Sequence, residues 1–520
     1  MSEKNKAVKT VSYIMIITLA GKVLALLRDM ILARQYGSGV EVSAFLTASR
    51  IPRVLFDAIF ASAITSSFIP IFNRALKEKG RDKAYEFSDV FISVVGMFMV
   101  LLMILSMIFA KEIAYFFADG FDEKTLELCI NLLKILLPTM ICTGIAFSFV
   151  GILQSMDRFL IPASISVVFN IIIIVYYFTF DKVFGIYGLA VTYLIGWIMQ
   201  VLIQIPSLKQ IGYRYHFKPY LDYPYLKETL ILMGPVMIST WVQPFNILIN
   251  AKYASRLYEG SAVAAIEFAN NLYTMIASVL VLSIMNFVFP QLSKLINDKK
   301  QDEFNKTVST TMEATMFLIL PLMAGVMSLS KEVIGLIYGG NRFDEFSVNI
   351  TSSALFFFSV GMMGYAIQTI LSRVYFAKEN GKVPMISAVV AIIVNYVFCS
   401  LLINKFEVGG LALSSSISVT INAIMLIIPL QMDKNTKLID FDFIKEILKI
   451  VISSVLMCIV IFLIKKILPG GNIGASKKII NLAILFVAGV LTYFLSAFIL
   501  KIKQVNFVKN IIKKRKNSQI

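Results

Sequence analysis

Residues 10–35 read TVSYIMIITLAGKVLALLRDMILARQ, an apolar run that nevertheless carries Lys22, Arg28 and Asp29 in its second half. About 20 apolar residues cross the hydrocarbon core of a bilayer as a helix. Backbone groups left unpaired in lipid force such a run to be helical. A charged side chain near the centre of a spanning helix costs about 2.5–3.5 kcal/mol if it faces lipid, so this run does more than anchor the chain. It lacks a small-residue cleavage site, and we expect it to be retained rather than removed as a signal peptide.

Further apolar runs follow at 42–73, 87–110, 126–155, 160–180, 184–208, 227–255, 262–292, 306–329, 347–377, 383–404, 408–431, 443–467 and 479–502. They predict an all-α membrane protein of about fourteen transmembrane helices. Composition agrees: the 520 residues are 58% hydrophobic and 16% charged, against about 45–50% and about 25% in soluble domains. The net charge of +17 is distributed by loop. Lys4, Lys6 and Lys9, the 74–83 loop, the 294–306 loop and the 509–516 tail all fall on one side. About 30 basic residues on that side against about a dozen on the other place it in the cytoplasm. Both termini are then cytoplasmic, and the charge is a topology signal rather than a nucleic-acid footprint.

The chain also repeats itself. Ser67-Phe68-Ile69-Pro70 and the loop KEKGRDKAYEF recur as Phe287-Val288-Phe289-Pro290 and NDKKQDEFNKT. Pro162 is matched by Pro384, and Gly188-Leu189-Ala190 by Gly410-Leu411-Ala412, at offsets of 220 to 222 residues. A duplicated six-helix unit explains this constancy, and parallel repeats build transporters with a site between two lobes. We therefore expect an N-lobe over 1–220, a C-lobe over 221–435, and a third segment, 436–520, with helices thirteen and fourteen and a basic cytoplasmic tail.

Function is concentrated in the first two spans, which hold Lys22, Arg28, Asp29, Arg50, Arg53 and Asp57. Facing lipid, six such groups would cost on the order of 15–20 kcal/mol, so they must pair or face water. Steps of seven, three and four residues put each cluster on one helix face. Counting from the outer ends of the two spans at 1.5 Å per residue places Arg28 and Arg50 at a similar depth, roughly 10–12 Å. Pro52 frees backbone groups near that level. Four cations against two carboxylates suit an anionic head group, and arginine forks suit phosphate. Internal salt bridging with snorkelling toward the interface is the bland alternative, but glue alone needs no excess of cations.

Weaker candidates are Gln243, Asn246 and Asn250 on the seventh span and Asn271 on the eighth, which could line the second lobe's half of a cavity or simply bond helix to helix. His216 sits in the charged loop YRYHFKP and reads as solvated. The four cysteines lie apart in apolar runs, and we expect neither disulfides nor a metal site. With no nucleophile–base pair, Walker loop or dinucleotide fingerprint in the chain, we expect a transporter and not an enzyme.

Taken together, GKVLALLRDMILARQYG (21–37), SAFLTASRIPRVLFDAIFASAITSSFIPIF (43–72), MGP (233–235), FANNLY (268–273) and NFVFPQLSKL (286–295) resemble the MurJ lipid II flippases. These belong to the multidrug/oligosaccharidyl-lipid/polysaccharide exporter (MOP) superfamily, which includes the MATE exporters, and the resemblance runs over essentially the whole chain. It implies two pseudo-symmetric six-helix lobes in a V around a cationic cavity, with helices thirteen and fourteen forming a groove for an undecaprenyl tail. It assigns the family's Arg-Asp pair to Arg28 and Asp29, its preceding basic position to Lys22, and its second-helix basic position to Arg50. The chain departs from the family where Ser43 stands for an aspartate, Asn271 for an arginine and Asn250 for an acidic residue.

The implied function is alternating-access transport of lipid II, or a related undecaprenyl-diphosphate glycolipid, across the bacterial cytoplasmic membrane for peptidoglycan synthesis. Expected partners are that glycolipid, membrane lipids and the cell-wall synthesis machinery, with no nucleic acid. No cofactor is expected beyond coupling to the membrane potential or to a monovalent cation. The alternatives are a flippase for another polyprenyl-linked glycan of sporulation or surface polysaccharide, a cation-coupled multidrug exporter, and a non-transporting scaffold. The excess of buried cations argues against the drug exporter, whose cationic substrates call for acidic groups.

Overall fold

The computed structural model describes residues 3–54, 64–240, 242–378, 380–433, 436, 438–468 and 474–505, and all its regular elements are helical. In chain order the longer ones are α1 (Glu3–Tyr36), α2 (Val40–Pro52), α3 (Ile69–Ile108), α4 (Ala110–Phe117), α5 (Glu123–Leu136), α6 (Thr139–Ser155), α7 (Leu160–Thr179) and α8 (Asp181–Leu202). Then follow α9 (Pro224–Thr240), α10 (Val242–Ala254), α11 (Ala262–Asn297), α12 (Gln301–Ser328), α13 (Ser330–Ile337), α14 (Glu345–Val360) and α15 (Met362–Ala377). The last three are α16 (Lys382–Met432), α17 (Phe441–Ile467) and α18 (Ala475–Ile499).

The expected spans coincide with helical segments, the second and third meeting on α3, although residues 55–63 of the second and 241 of the seventh lie outside the described residues. Among the described residues nine helices are long and apolar enough to cross a membrane, or ten if the bent pair α14–α15 is one span. The tenth and fourth spans are each two helices with a break, α14–α15 and α5–α6. The eleventh and twelfth are the two arms of α16, parted at Glu407. The chain is a multi-pass membrane protein.

Two compact units divide the chain: Met1–Ala264 with Asn341–Phe343, and Ala265–Gly340 with Asp344–Ile520. In the first, α1 packs along α7, α2 along α5, and α3 along α6. Its core is aromatic, with Phe68 stacked on Phe87 at 5.1 Å and tilted on Phe91 at 4.8 Å. Gly151 of α6 permits this closeness, because a β-carbon there would stand 2.8 Å from the Phe68 ring. Pro52, with no N–H to give to the ladder, closes the α-helical part of α2, and the backbone goes over to π-helix at Arg53 and Val54.

In the second unit, α12 packs against α17, and α14 and α15 against α16. Gly361 and Gly364 lie against Ser416 and Thr420, where a β-carbon would come within 2.9 Å of the facing Cα atoms. Ser416 also donates to the carbonyl of Phe357 at 2.6 Å. Small residues and hydroxyls are how helices bind one another without a hydrophobic driving force. The last two helices pack on each other, and Tyr493 of α18 donates to the carbonyl of Phe317 in α12 at 2.6 Å. Cys129 and Cys399 are buried, and all four cysteines are free thiols.

Candidate functional site: an arginine cluster in the first unit

The Arg28 guanidinium donates from Nε and Nη2 to a single oxygen, Asp29 Oδ1, at 3.0 and 2.8 Å. Both side chains are nearly buried, 11% and 10% exposed. Adjacent residues on a helix point about 100° apart, so this pairing needs the guanidinium to bend back along α1. Two aromatic rings hold it there: Phe169 of α7 lies 5.9 Å from the guanidinium carbon, and Tyr193 of α8 lies 5.8 Å away. Such contacts contribute about 0.5–2 kcal/mol each according to their exposure. The two rings meet edge to face at 5.3 Å, and Phe45 of α2 abuts Tyr193 at 5.0 Å. Tyr193 therefore stands where α1, α2, α7 and α8 converge.

Arg50 on α2 is buried, 7% exposed, and interacts electrostatically with Arg53, Asp29, Arg28 and Tyr193. Arg53, one turn on, is exposed. The structure thus brings together Arg28, Asp29, Arg50 and Arg53, as the depth argument from the sequence requires. Lys22 is half-buried, six residues before Arg28 on α1, or roughly 9 Å along the axis. Asp57 and the side chain of Gln243 lie outside the described residues. Asn246 and Asn250 are buried on α10 within the first unit, while Asn271 is half-buried on α11 in the second.

Reading from the sequence missed the aromatic wall. Tyr193 and Phe169 are ordinary members of apolar spans, and only the packing of α7 on α1, with α8 on α7 and α2, turns them toward the charges. It also missed a second ionic cluster. Arg256, just after α10, makes a bidentate pair with Asp119 in the α4–α5 loop at 2.9 and 2.6 Å, and Lys252 approaches the same carboxylate at 3.5 Å. The Arg256 hydrogen bond, outweighing partial burial, holds the Asp119 carboxyl below its ordinary pKa. Beside it the Gly120 N–H donates to Ser255 Oγ at 3.1 Å, and a β-carbon on Gly120 would sit 2.5 Å from the Arg256 backbone.

Ser43, standing for the aspartate that the resemblance suggested, is fully buried, and its Oγ accepts the Ala264 N–H at 3.2 Å. Ala264 is the third residue of α11, one of the orphan donors of a helix start, so Ser43 caps a helix far from it in sequence. His216 is corrected in part. Its ring is exposed, but its N–H donates to Asp89 Oδ1 at 3.2 Å, and Nδ1 lies 3.5 Å from Oδ2.

The chain is similar to known proteins over most of its length. The family described as lipid II flippase MurJ matches residues 32–483. A probable lipid II flippase MurJ of Buchnera aphidicola subsp. Acyrthosiphon pisum is 28% identical over 498 residues, covering 95% of this chain and 97% of that protein. The lipid II flippase MurJ of Burkholderia cenocepacia is 26% identical over 427 residues, covering 80% and 82%. Among solved structures, a lipid II flippase MurJ in an inward closed conformation superposes with a TM-score of 0.80 at 25% identity, covering 96% of this chain and 99% of that one. An inward-facing MATE family transporter of the MOP superfamily gives a TM-score of 0.65 at 15% identity, covering 79% and 96%, a likeness of fold.

Proposed function

The chain belongs to the MurJ family of lipid II flippases, and from that membership we propose that it moves lipid II, the undecaprenyl-diphosphate-linked peptidoglycan precursor, from the cytoplasmic to the outer leaflet. The observation that carries the proposal to particular residues is the gathering of Arg28, Arg50 and Arg53 around Asp29, with Arg28 and Arg50 buried and Arg53 exposed.

A diphosphate suits that gathering of guanidinium groups. Arg28 gives its Nε/Nη2 edge to Asp29, which leaves the Nη1 edge of its five-donor fork for a phosphate oxygen. Tyr193 and Phe169 fix the plane of that fork, so little freedom is lost when the anion arrives. Arg50, already desolvated beside other cations, gains more from an incoming anion than a solvated arginine would, since charges interact more strongly away from water. Exposed Arg53 makes the first contact and Lys22 a later one further along α1. No bond in the substrate is made or broken, so the activity is transport and not catalysis, and it requires no cofactor.

Alternating access would expose the head group on each side in turn while the tail stays in the bilayer. The empty carrier holds net positive charge. A negative-inside potential acts on it with about 2.3 kcal/mol per elementary charge per 100 mV, enough to drive the return, with a monovalent cation as the alternative coupling. The protein would work in the bacterial cytoplasmic membrane with both termini inside.

The test is reconstitution. Purified chain in vesicles with fluorescent lipid II should move the label across the bilayer, and Arg28→Gln with Arg50→Gln should slow this by at least tenfold. In cells, depletion should accumulate lipid II on the inner leaflet. An unchanged precursor pool would reject the assignment.

A further inference from the structure

Tyr177 of α7 is 3% exposed, and its hydroxyl has no hydrogen-bond partner among the described residues. A buried polar group without a partner costs stability, and phenylalanine would fill the same space at no such cost. Most buried hydroxyls in native proteins are satisfied. The adjacent Tyr176 follows that rule: it is as deeply buried, and its hydroxyl donates to the carbonyl of Gly185 at 2.6 Å. Tyr177 is the exception of the two.

The position of its hydroxyl follows from the stripe on which Tyr177 stands. Asn170, Ile173 and Tyr177 recur at steps of three and four, so they share one face of α7, and all three are buried. That face looks onto α1. Asn170 donates to the carbonyl of Gly21 at 3.4 Å, and Gln35 donates to the carbonyl of Tyr177 at 3.2 Å. The two helices therefore run in the same direction, with Arg28 and Asp29 between these two contacts. Helical side chains lean toward the N-terminal end of their helix. The Tyr177 ring thus reaches back from the level of Gln35 toward the Arg28–Asp29 pair. Tyr177 interacts electrostatically with Tyr193, Arg28 and Asp29, in keeping with that placement.

An anion entering the cluster changes what Asp29 needs. The Asp29 side chain is 10% exposed and receives two hydrogen bonds from Arg28. A phosphate brings further negative charge to Arg28, Arg50 and Arg53, and like charges repel more strongly away from water. A buried carboxylate that must share its cations either gains a donor or resists the newcomer. The Tyr177 hydroxyl is a donor not yet spent. Being neutral, it can serve the carboxylate without competing for the phosphate, as a lysine in its place would.

We propose that Tyr177 is a positioning residue of the anion site: its hydroxyl donates to Asp29 when a phosphate occupies the arginines, and so lets two anions share them. The assignment rests on the reading of this cluster as the diphosphate site.

Equilibrium binding of fluorescent lipid II to the purified full chain in detergent, run beside thermal unfolding of the empty protein, tests it. Tyr177→Phe should weaken binding by about tenfold, the effect of one hydrogen bond to a charged group, and leave the unfolding midpoint no lower. Tyr176→Phe should do the reverse, lowering the midpoint and leaving binding unchanged. In Asp29→Asn protein the carboxylate is gone, and adding Tyr177→Phe should weaken binding no further. The contrast between the two tyrosines stands even if Asp29→Asn is too unstable to measure. Unchanged affinity in Tyr177→Phe overturns the proposal, and a fall in its midpoint would then give the hydroxyl a structural partner such as an ordered water. An equal loss of affinity with and without Asp29 overturns it too. Arg28→Gln with Arg50→Gln separates the two readings. If that variant binds lipid II as tightly as the unmodified protein, the diphosphate site fails and the role of Tyr177 with it. If it loses binding while Tyr177→Phe does not, the assignment of Tyr177 alone falls.

Discussion

Gly185 and Glu407 break their helices in nearly the same backbone conformation, φ +52 and ψ −144 at one, φ +49 and ψ −126 at the other. They lie 222 residues apart, the spacing at which Pro162 is followed by Pro384. Other backbone features keep that interval. Asp122 and Asp344 stand as N-caps before α5 and α14, and Met156 and Lys378 end α6 and α15. The duplication is thus written in the local geometry of each unit as well as in its residues.

The two positions should respond oppositely to substitution. Glycine tolerates positive φ, while other residues held there cost about 1–3 kcal/mol. Glu407→Gly should therefore raise stability by about 1 kcal/mol after allowing for the greater freedom of glycine in the unfolded chain. Gly185→Ala should lower it by about 1–3 kcal/mol through backbone strain, since a β-carbon there meets nothing within 4 Å. Thermal unfolding in detergent should show midpoints moving in opposite directions.

The Arg28–Asp29 pair should behave as a buried ion pair. Asp29→Asn takes from Arg28 the carboxylate it binds, and removing one partner of a buried pair is expected to cost about 3–5 kcal/mol. Arg28→Gln with Asp29→Asn removes both charges, so its stability should lie closer to that of the unmodified protein. Transport should be lost in both. A double-mutant cycle on thermal stability, run beside the vesicle assay, separates the structural contribution from the functional one.

Ser43 offers a test at a single hydrogen bond. Ser43→Ala leaves the buried Ala264 N–H at the start of α11 unsatisfied, which should lower stability by about 1–2 kcal/mol. Ser43→Asp restores an acceptor and adds negative charge at a helix N-terminus, where it is favourable. The measured midpoint of the aspartate variant should lie above that of the alanine variant.

The Asp119–Arg256 pair predicts a pH dependence. The folded-state pKa of Asp119 is depressed below its ordinary value, so its contribution is fully present above about pH 4 and is lost as pH falls through the depressed value. Arg256 is 46% exposed, and with solvent screening the contribution should be about 0.5–1 kcal/mol. The stability difference between the unmodified protein and Asp119→Asn should be flat from pH 7 to about pH 4.5 and close below pH 4.

Much of this molecule was legible in its sequence because lipid enforces one rule throughout. Apolar runs must be helices, and their lengths gave an all-helical fold in which nine or ten helices among the described residues are long and apolar enough to cross a membrane. The cluster of Arg28, Asp29, Arg50 and Arg53 was also legible, since charges inside apolar runs have few places to go. Tyr193 was not, because an aromatic residue in an apolar span reads the same whether it meets lipid or a guanidinium. The seating of Tyr213–Lys218 on α3 was hidden for a related reason. The alternation in YRYHFK is visible, but its anchors Asp89 and Ser93 lie more than 120 residues earlier, and only the packing of α3 brings them together. Asp119 and Arg256 escaped because a pair between loops has no periodicity to betray it.

Asp29 sits among three arginines, bound to the chain beside them, and that attachment bears on how tightly any substrate can be held. A tethered carboxylate competes with a visiting phosphate at an effective concentration no free ion could match. At the site proposed for the diphosphate, the carboxylate would hold one edge of Arg28 throughout and compete with the phosphate for the rest of the cluster. Such competition would cap affinity and shorten residence, which suits a carrier that must release its cargo.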